Sequence, residues 1–138
     1  MAKQKNVIPV FSIEGNEFDT DTRRGTGVHK RVQGLLSTSR MYRLFYGASF
    51  TVTSQNFNRV TDPEFLDKVC DTGCRAVFFV EYVPIQEETE YLVLSDEMRF
   101  ALSSLCMSLS KKNRSHYFAF PGDESKFGGC LAAGRGFI

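Results

Sequence analysis

Residues 62–83, DPEFLDKVCDTGCRAVFFVEYV, contain the signals for one helix followed directly by one strand, and this pair indicates the fold class. Asp62 can cap a helix that has Pro63 as its first residue, because proline lacks the amide that would need a partner there and its φ is preset. Gly73 can end that helix as its C′ residue. The apolar run over 76–83 is typical of a strand buried in a parallel sheet. The apolar face of the predicted helix consists of Phe65, Leu66, Val69 and Cys70.

The same alternation extends to both sides of this pair. Further strands are predicted over residues 7–13, 44–53 and 117–120, and further helices over 28–39 and 95–112. Polar segments over 14–27 and 84–94 predict loops, and the glycine-rich segment 128–138 is expected to lead into a fifth strand. Strands that alternate with helices predict a parallel sheet with right-handed crossovers. The first strand reads as buried on both faces, although Pro9 favours a sheet edge because it cannot donate to the ladder.

The composition allows one domain and gives few hints of a large partner. A chain of 138 residues has room for one core. With 17 basic and 16 acidic residues the formal net charge is +1, which gives no electrostatic reason to expect nucleic acid or a membrane as partner. The apolar stretches are too short to span a bilayer, and the first residues lack the pattern of a signal peptide. We therefore expect a cytoplasmic protein.

The four cysteines are too few and too irregularly spaced for a secreted disulfide framework, so we expect thiols in a reducing compartment. Cys70 and Cys74 have the first spacing of a Cys-x-x-x-Cys-x-x-Cys cluster motif, but Val77 stands where the third cysteine would be. Together with Cys106 they are expected to lie in the core as small apolar side chains. Cys130 differs because it lies in the glycine-rich segment, where a metal role would require further ligands beyond residue 138.

Ligands of parallel α/β folds meet the carboxyl ends of the strands, which gives a short list of candidate residues. These candidates are Ser12, Glu14, Thr51, Thr53, Ser54, Asn56, Glu81, Tyr82, Asp123 and the Gly-Gly-Cys130 segment. His29 and His116 belong to no recognisable motif, so a Cys–His or Ser–His nucleophile pair has no support.

Two pairs among the polar residues allow opposite interpretations. Ser12 and Glu14 are two positions apart at a strand end, where they could hold a ribose diol or a ligand amine, or could cap their own loop. Arg23 and Arg24 precede a Gly-Thr-Gly turn and a helix, where an arginine and exposed amides suit a carboxylate or a phosphate. The alternative is a solvated loop with a tight glycine turn, and the spacing fits neither a P-loop nor a dinucleotide fingerprint.

Several of these segments, in order, resemble the second half of the barrel of radical S-adenosylmethionine (SAM) enzymes. VFSIEG at 10–15, followed by DTRRGTGV at 21–28, resembles the fourth strand of that family and the loop behind it. FTVT at 50–53 with Asn56 is similar to the fifth strand, and FVEYVPI at 79–85 is similar to the sixth. GCLAAG at 129–134, leading into GFI at 136–138, resembles the opening of the cysteine-rich SPASM or twitch extension that binds auxiliary clusters.

The resemblance implies a fold and a division of the chain. The fold would be a partial TIM-like (β/α) barrel with about four parallel strands and three helices. Residues 1–127 would be the C-terminal half of the barrel, and residues 128–138 the start of a truncated auxiliary-cluster extension.

The resemblance also implies roles for individual residues. Ser12 would contact the SAM ribose, and Arg24 or Arg23 would bind the methionine carboxylate. Val52 and Thr53 would contact the adenosyl group. Two further positions would belong to the cofactor sites, namely Glu14, which replaces the more usual aspartate, and Cys130, which would be the first auxiliary-cluster ligand.

One departure from the family decides what to expect of the chain itself. The family's Cys-x-x-x-Cys-x-x-Cys motif is absent from the 138 residues. We therefore expect an inactive fragment of an iron–sulfur oxidoreductase, whose parent uses SAM and a [4Fe–4S] cluster to act on a small molecule or peptide. The fragment is expected to bind neither cofactor and to form a homo-oligomer through its exposed sheet edges. The alternative is a non-catalytic α/β module that binds a nucleotide-like ligand.

Overall fold

The computed structural model of the chain describes residues 7–112 and 115–120. The strands are β1 (Val10–Ser12), β2 (Tyr46–Val52), β3 (Cys74–Glu81) and β4 (His116–Phe120). The helices are α1 (Glu17–Arg24), α2 (Val28–Met41), α3 (Phe57–Val60), α4 (Pro63–Asp71) and α5 (Asp96–Lys112), and a 3₁₀ helix covers Glu87–Leu92. The protein is therefore an α/β protein, as its alternating pattern predicts.

The four strands form one parallel sheet in the order β1-β2-β3-β4. Each strand lies beside the strand that precedes it in the chain, and each pair is joined by a connection that contains a helix. All carboxyl ends of the strands therefore lie along the same edge of the sheet. Within the described residues the strand order does not reverse, so the sheet lacks the switch point that defines the ligand crevice of doubly wound folds.

The helix and strand of residues 62–83 form as predicted. The Asp62 side chain accepts a hydrogen bond from the amide of Glu64 at the start of α4, and Pro63 is the first helical residue. Gly73 follows the C-cap and has φ of 103°, which a residue with a side chain rarely adopts. The strand begins at Cys74, two residues earlier than its apolar run suggests, because the helix ends in a tight turn.

One face of the sheet is buried beneath the helices. In-register residues share a face, and the row Ala48, Val77 and Tyr117 and the row Phe50, Phe79 and Ala119 are all buried. The helices contribute Leu36, Leu66, Leu102, Cys106 and Leu109 to the same core. The opposite face carries the half-buried rings of Phe78, Phe118 and Phe120, and Val80 is exposed there.

Three expectations from the sequence are wrong. The segment over 14–27 is not a loop, because residues 17–24 form α1, capped by Asn16 at its start. The prediction of three helices is also too low, since the loop before Asp62 contains the short helix α3 as well. For the first strand, burial on both faces is wrong, whereas the edge position that Pro9 favours is confirmed: the strand begins after Pro9, lies at the edge of the described sheet and leaves Val10 exposed.

Within residues 7–112 and 115–120, no helix is both long enough and apolar enough to cross a bilayer.

Candidate ligand-binding site at the carboxyl edge of the sheet

A cleft of about 570 Å³ opens at the carboxyl edge of the sheet. Glu14, Thr53 and Tyr82, which follow the ends of β1, β2 and β3, all line it. Helix α1 contributes Phe18, Asp19, Thr22 and Arg23 to one wall, and the region of α3 contributes Gln55, Asn56 and Arg59 to another. The cleft therefore lies at the edge where ligands bind in parallel α/β folds.

The central feature of the cleft is a buried carboxylate held by two arginines. Only 3% of the Glu14 side chain is exposed, and its Oε1 accepts hydrogen bonds from Arg23 Nη1 at 2.6 Å and Arg24 Nε at 2.7 Å. The backbone amide of Glu14 donates to Thr20 Oγ1 at 3.3 Å. Burial of a carboxylate is costly unless the group is paired and hydrogen-bonded. The two arginines therefore compensate the buried charge of Glu14.

The two arginines differ in their relation to the cleft. Arg23 lines it and its side chain is 45% exposed, whereas Arg24 is not among the lining residues and its side chain is 33% exposed. The sequence assigns Glu14 and the arginines separate ligand contacts, but the structure joins them into one cluster. Of the two arginines, Arg23 is therefore the one whose side chain is accessible from the cleft.

A second ion pair, absent from the sequence-based candidates, joins Arg59 of α3 to Asp19 of α1 across the cleft. Sequence reasoning misses it because Asp19 lies in a segment predicted as a loop and Arg59 in a helix of four residues, too short for a periodic pattern. The acidic first turn of α1 after Asn16 is the one signal that could have found part of it.

The glycine turn before α2 does not offer its amides to a ligand. Asp21 accepts hydrogen bonds from the amide of Gly27 at 2.6 Å and from the amide of His29 at 2.8 Å. These amide bonds, first that of His29 and then that of Gly27, hold the pKa of the Asp21 carboxyl below its ordinary value of 3.8. The N-terminus of α2 favours a negative charge, and the carboxylate of Asp21 already occupies that position.

We predict that Asp21→Asn removes an acid-sensitive part of the stability. Because the pKa of Asp21 is lowered on folding, its contribution is fully present above the ordinary value near 3.8 and is lost as pH falls through the folded value. Thermal unfolding at pH 7 and pH 3 should therefore show a lower Tm for the variant at pH 7 and a smaller difference at pH 3. Asp67→Asn, on the exposed side of α4, is the control and should change neither. An equal loss at both pH values would contradict the assignment.

The remaining residues assigned to the cofactor by resemblance lie near the edge but differ in exposure. Ser12 is half-buried at the end of β1, in register with Ser49, and is not among the residues that line the cleft. The Val52 side chain is fully buried in the core, and its carbonyl accepts a hydrogen bond from the amide of Tyr82 at 2.9 Å. Thr53 does line the cleft.

Asn56, by contrast, organises the loop after β2. Its Oδ1 accepts from the amide of Thr53 at 2.8 Å, and its Nδ2 donates to the carbonyl of Thr51 at 2.9 Å. Its own amide donates to Thr53 Oγ1 at 3.2 Å. The amide side chain is therefore used to shape the end of β2, and this loop in turn carries the helix that contains Arg59.

Two further candidates at the strand ends have structural partners. Glu81 Oε1 accepts from Arg99 Nε at 2.6 Å, which ties the end of β3 to α5. This carboxylate and that of Asp96 raise the pKa of Arg99 above its ordinary value. Ser54 Oγ donates to the carbonyl of Tyr91 at 2.7 Å and fastens the 3₁₀ segment to the loop after β2.

Two of the described cysteines lie in the core as the sequence predicts, and Cys70 lies at its border. Cys74 and Cys106 are buried, and burial raises the pKa of the Cys74 thiol to about 11. Cys70 is half-buried, with its sulfur 3.1 Å from the Tyr117 hydroxyl. No group of three or more His, Cys, Asp or Glu side chains suited to a metal ion occurs in the part of the chain that the structure describes. The candidates Cys130 and Asp123 lie outside the described residues.

Comparisons with known proteins add no relative to these observations. No family model, no curated protein and no solved structure matches the chain.

Proposed function

We propose that the chain is the second half of the barrel of a radical SAM enzyme. The intact parent would cleave SAM to a 5′-deoxyadenosyl radical that abstracts hydrogen from a small-molecule or peptide substrate. The observation that carries the proposal is the cleft at the carboxyl edge of a parallel sheet whose strands follow one another in chain order. Sequential order without a reversal is what a segment of a (β/α) barrel requires. Four of the segments that resemble the family lie within the described residues, and each contributes lining residues to this cleft, namely 10–15, 21–28, 50–56 and 79–85.

The described residues suit a SAM molecule better than they suit an iron–sulfur cluster. Arg23 presents a partly exposed guanidinium for a carboxylate, and Thr53 adds a polar group to the same cleft. Ser12, which the resemblance assigns to the ribose, lies at the end of β1 but outside the lining of the cleft, so its contact stays a prediction. For a cluster the described thiols do not fit, because Cys70 packs against the core and Cys74 is buried within it. Cluster chemistry would therefore belong to other parts of the parent enzyme.

What the chain would contribute is binding and orientation. Glu14 holds both guanidinium groups at the end of β1, so that Arg23 enters the cleft in a fixed position. A preorganised arginine fork loses less side-chain freedom when it binds a carboxylate. The parallel sheet fixes Thr53 and Tyr82 on the adjacent strand ends relative to that fork.

S-adenosylhomocysteine, which carries the carboxylate and the adenosine without the reactive sulfonium, provides a test. In contrast to the expectation from the sequence that the fragment binds no cofactor, we predict that isothermal titration of the full 138-residue chain shows binding, because Arg23 and the cleft are formed within this chain. Arg23→Gln should weaken it about tenfold or more through loss of a charge-assisted hydrogen bond. Adenosine, which lacks the carboxylate, should bind the variant and the original chain equally. Arg31→Gln, an exposed arginine of α2, is the matched control. Absence of binding, or an equal loss for adenosine, would contradict the proposal.

The second candidate function is a non-catalytic module that binds a nucleotide-like ligand. It is favoured by the fact that the described residues of this chain form the cleft by themselves. Binding of S-adenosylhomocysteine would fit both functions, so the discriminating feature is the coding sequence upstream of Met1.

We also propose that the isolated chain self-associates. Within the described residues, β1 and β4 each pair on one side only, and the sheet face opposite the helices carries exposed Val10 and Val80. Unpaired strand edges and apolar patches promote association with another chain. Sedimentation velocity should therefore show a dimer or larger species, and a stable monomer at micromolar concentration would contradict this. We further propose a cytoplasmic location.

A further inference from the structure

Arg59 places a second cationic group on the cleft, separate from the Glu14 cluster. It projects from α3, its side chain is 48% exposed, and it lines the cleft together with Asp19, the carboxylate with which it pairs. Arg23 belongs to α1 and is held by Glu14 instead. The cleft therefore has two arginines that are supported independently of each other.

The position of Arg59 is fixed by its stem as well as by its charge. Gly15 has φ of 114°, and a Cβ at this residue would lie 3.4 Å from Arg59 Cδ and 3.6 Å from Asp19 Oδ2. The aliphatic part of the Arg59 side chain thus lies beside the backbone of Gly15, where a larger residue would be in contact with it. With the stem packed and one nitrogen bound to Asp19, the guanidinium has little freedom left to lose when it binds a ligand.

The ion pairs around the cleft leave hydrogen-bond donors of Arg59 available for one more anion. The ion pairs bring three guanidinium groups, those of Arg23, Arg24 and Arg59, together with two carboxylates, those of Glu14 and Asp19. Arg24 does not line the cleft, and the two arginines that line it, Arg23 and Arg59, are matched by these two carboxylates. A further anion would therefore be bound by the remaining donors of Arg59 and not by an excess of charge. Arg59 uses Nη1 for Asp19, while a guanidinium has five N–H donors in a fork that matches a carboxylate. A monoanion can therefore bind Arg59 while Asp19 remains in place.

We infer that Arg59 binds a carboxylate of the substrate, and hence that the substrate is a carboxylic acid. This inference rests on the proposed function, in which Arg23 is engaged by the carboxylate of SAM. A second carboxylate in the same cleft then meets the second arginine. The source of that carboxylate is either the end of a peptide or a small organic acid.

The test uses the full chain and three probes: N-acetyl-glycylglycine, its C-terminal amide, and propionate. The side-chain Nε–Hε resonances of Arg23 and Arg59 are followed by NMR during titration, after assignment by mutation. We expect N-acetyl-glycylglycine to shift the Arg59 resonance saturably, and its neutral amide to leave it unchanged. Tighter binding of the peptide acid than of propionate assigns a peptide substrate, and the reverse order assigns a small acid. Equal shifts with the acid and the amide overturn the inference.

Variants separate this site from the proposed cofactor contact. Arg59→Gln should weaken binding of the acid at least tenfold, and Arg59→Lys, which keeps the charge without the fork, should weaken it severalfold. Arg31→Gln is the control and should bind like the original chain. Backbone NMR spectra show whether each variant is folded, and Arg59→Lys provides the readout if Arg59→Gln is not.

Binding of S-adenosylhomocysteine distinguishes a failure of the proposed function from a failure of the inferred substrate site at Arg59. Arg59→Gln should bind it as the original chain does. If the nucleoside binds and the acid does not, the substrate inference is wrong while the proposed function stands. If the acid binds at Arg59 and the nucleoside does not bind, Arg59 is a carboxylate site but its assignment to a SAM-dependent substrate is overturned. Loss of both ligands in Arg59→Gln would show a single site and overturn the inference.

Discussion

Replacing both Arg23 and Arg24 with glutamine is expected to lower the free energy of unfolding by about 3–5 kcal/mol. The reason is that Glu14, whose side chain is 3% exposed, would lose both of its guanidinium partners and leave a buried carboxyl group unpaired. Each single replacement should cost well under half of this amount, because the remaining arginine still donates to the same oxygen. The effects of the two substitutions are therefore not additive.

Urea unfolding of the two single variants and the double variant measures this coupling. The matched control is the triple variant with Glu14→Gln added, which removes the buried charge and should recover at least half of the lost stability. Arg31→Gln with Arg40→Gln, on exposed positions of α2, controls for the change in net charge. If the double variant costs no more than this exposed pair, the buried carboxylate is not what the arginines stabilise.

Phe50→Ala is expected to cost about 3–5 kcal/mol, because it would open a cavity at the centre of the core. The side chain is fully buried in β2, with its ring 5.5 Å from that of Phe65 in an edge arrangement and 6.0 Å from that of Phe79. Such a loss is a large share of the 5–15 kcal/mol that a domain typically has, so the variant should unfold at a markedly lower temperature.

Phe100→Ala provides the matched control for this substitution. It removes the same atoms from a side chain of α5 that is 77% exposed, so its effect should stay within about 0.5 kcal/mol. Chemical unfolding of both variants gives the comparison. A difference of less than about 1 kcal/mol between them would contradict the assignment of Phe50 to the packed core.

How far the sequence predicts the fold depends on the kind of signal each element carries. Helix α4 has an apolar stripe, an N-cap, a proline at its first position and a glycine after its end, and all of them agree with the structure. Helix α5 likewise begins after Ser95, whose hydroxyl accepts a hydrogen bond from the amide of Met98. Local signals and burial point to the same answer in both cases, which is the condition for a reliable prediction.

Helix α1 shows where the same method fails. Its one large apolar side chain, Phe18, is 76% exposed, so there is no buried stripe for periodicity to detect. What stabilises it is polar: Asn16 caps its first turn, and the ion pairs of Arg23 and Arg24 join its last turn to Glu14. These ion pairs join residues that are nine and ten positions apart in the sequence. Helical periodicity compares residues three or four positions apart, so it does not detect such pairs.

The sequence predicts the position of the candidate site but not the ion pairs within it. Topology places Glu14, Thr53 and Tyr82 on one edge, and this much follows from the order of strands and helices. The pairing of Glu14 with the arginines, and the partner of Arg59, depend on the path of α1 and α3, which the sequence does not specify. Asp21 likewise occupies the helix start that the glycine turn seemed to offer to a ligand.

The central claim is that this chain is the second half of a radical SAM barrel, and the coding sequence upstream of Met1 tests it most directly. Sequencing of the full-length transcript is predicted to show an in-frame Cys-x-x-x-Cys-x-x-Cys motif followed by about three strand–helix units. An in-frame stop codon or an untranslated leader immediately before Met1 would contradict the claim and leave the ligand-binding module as the function of the chain.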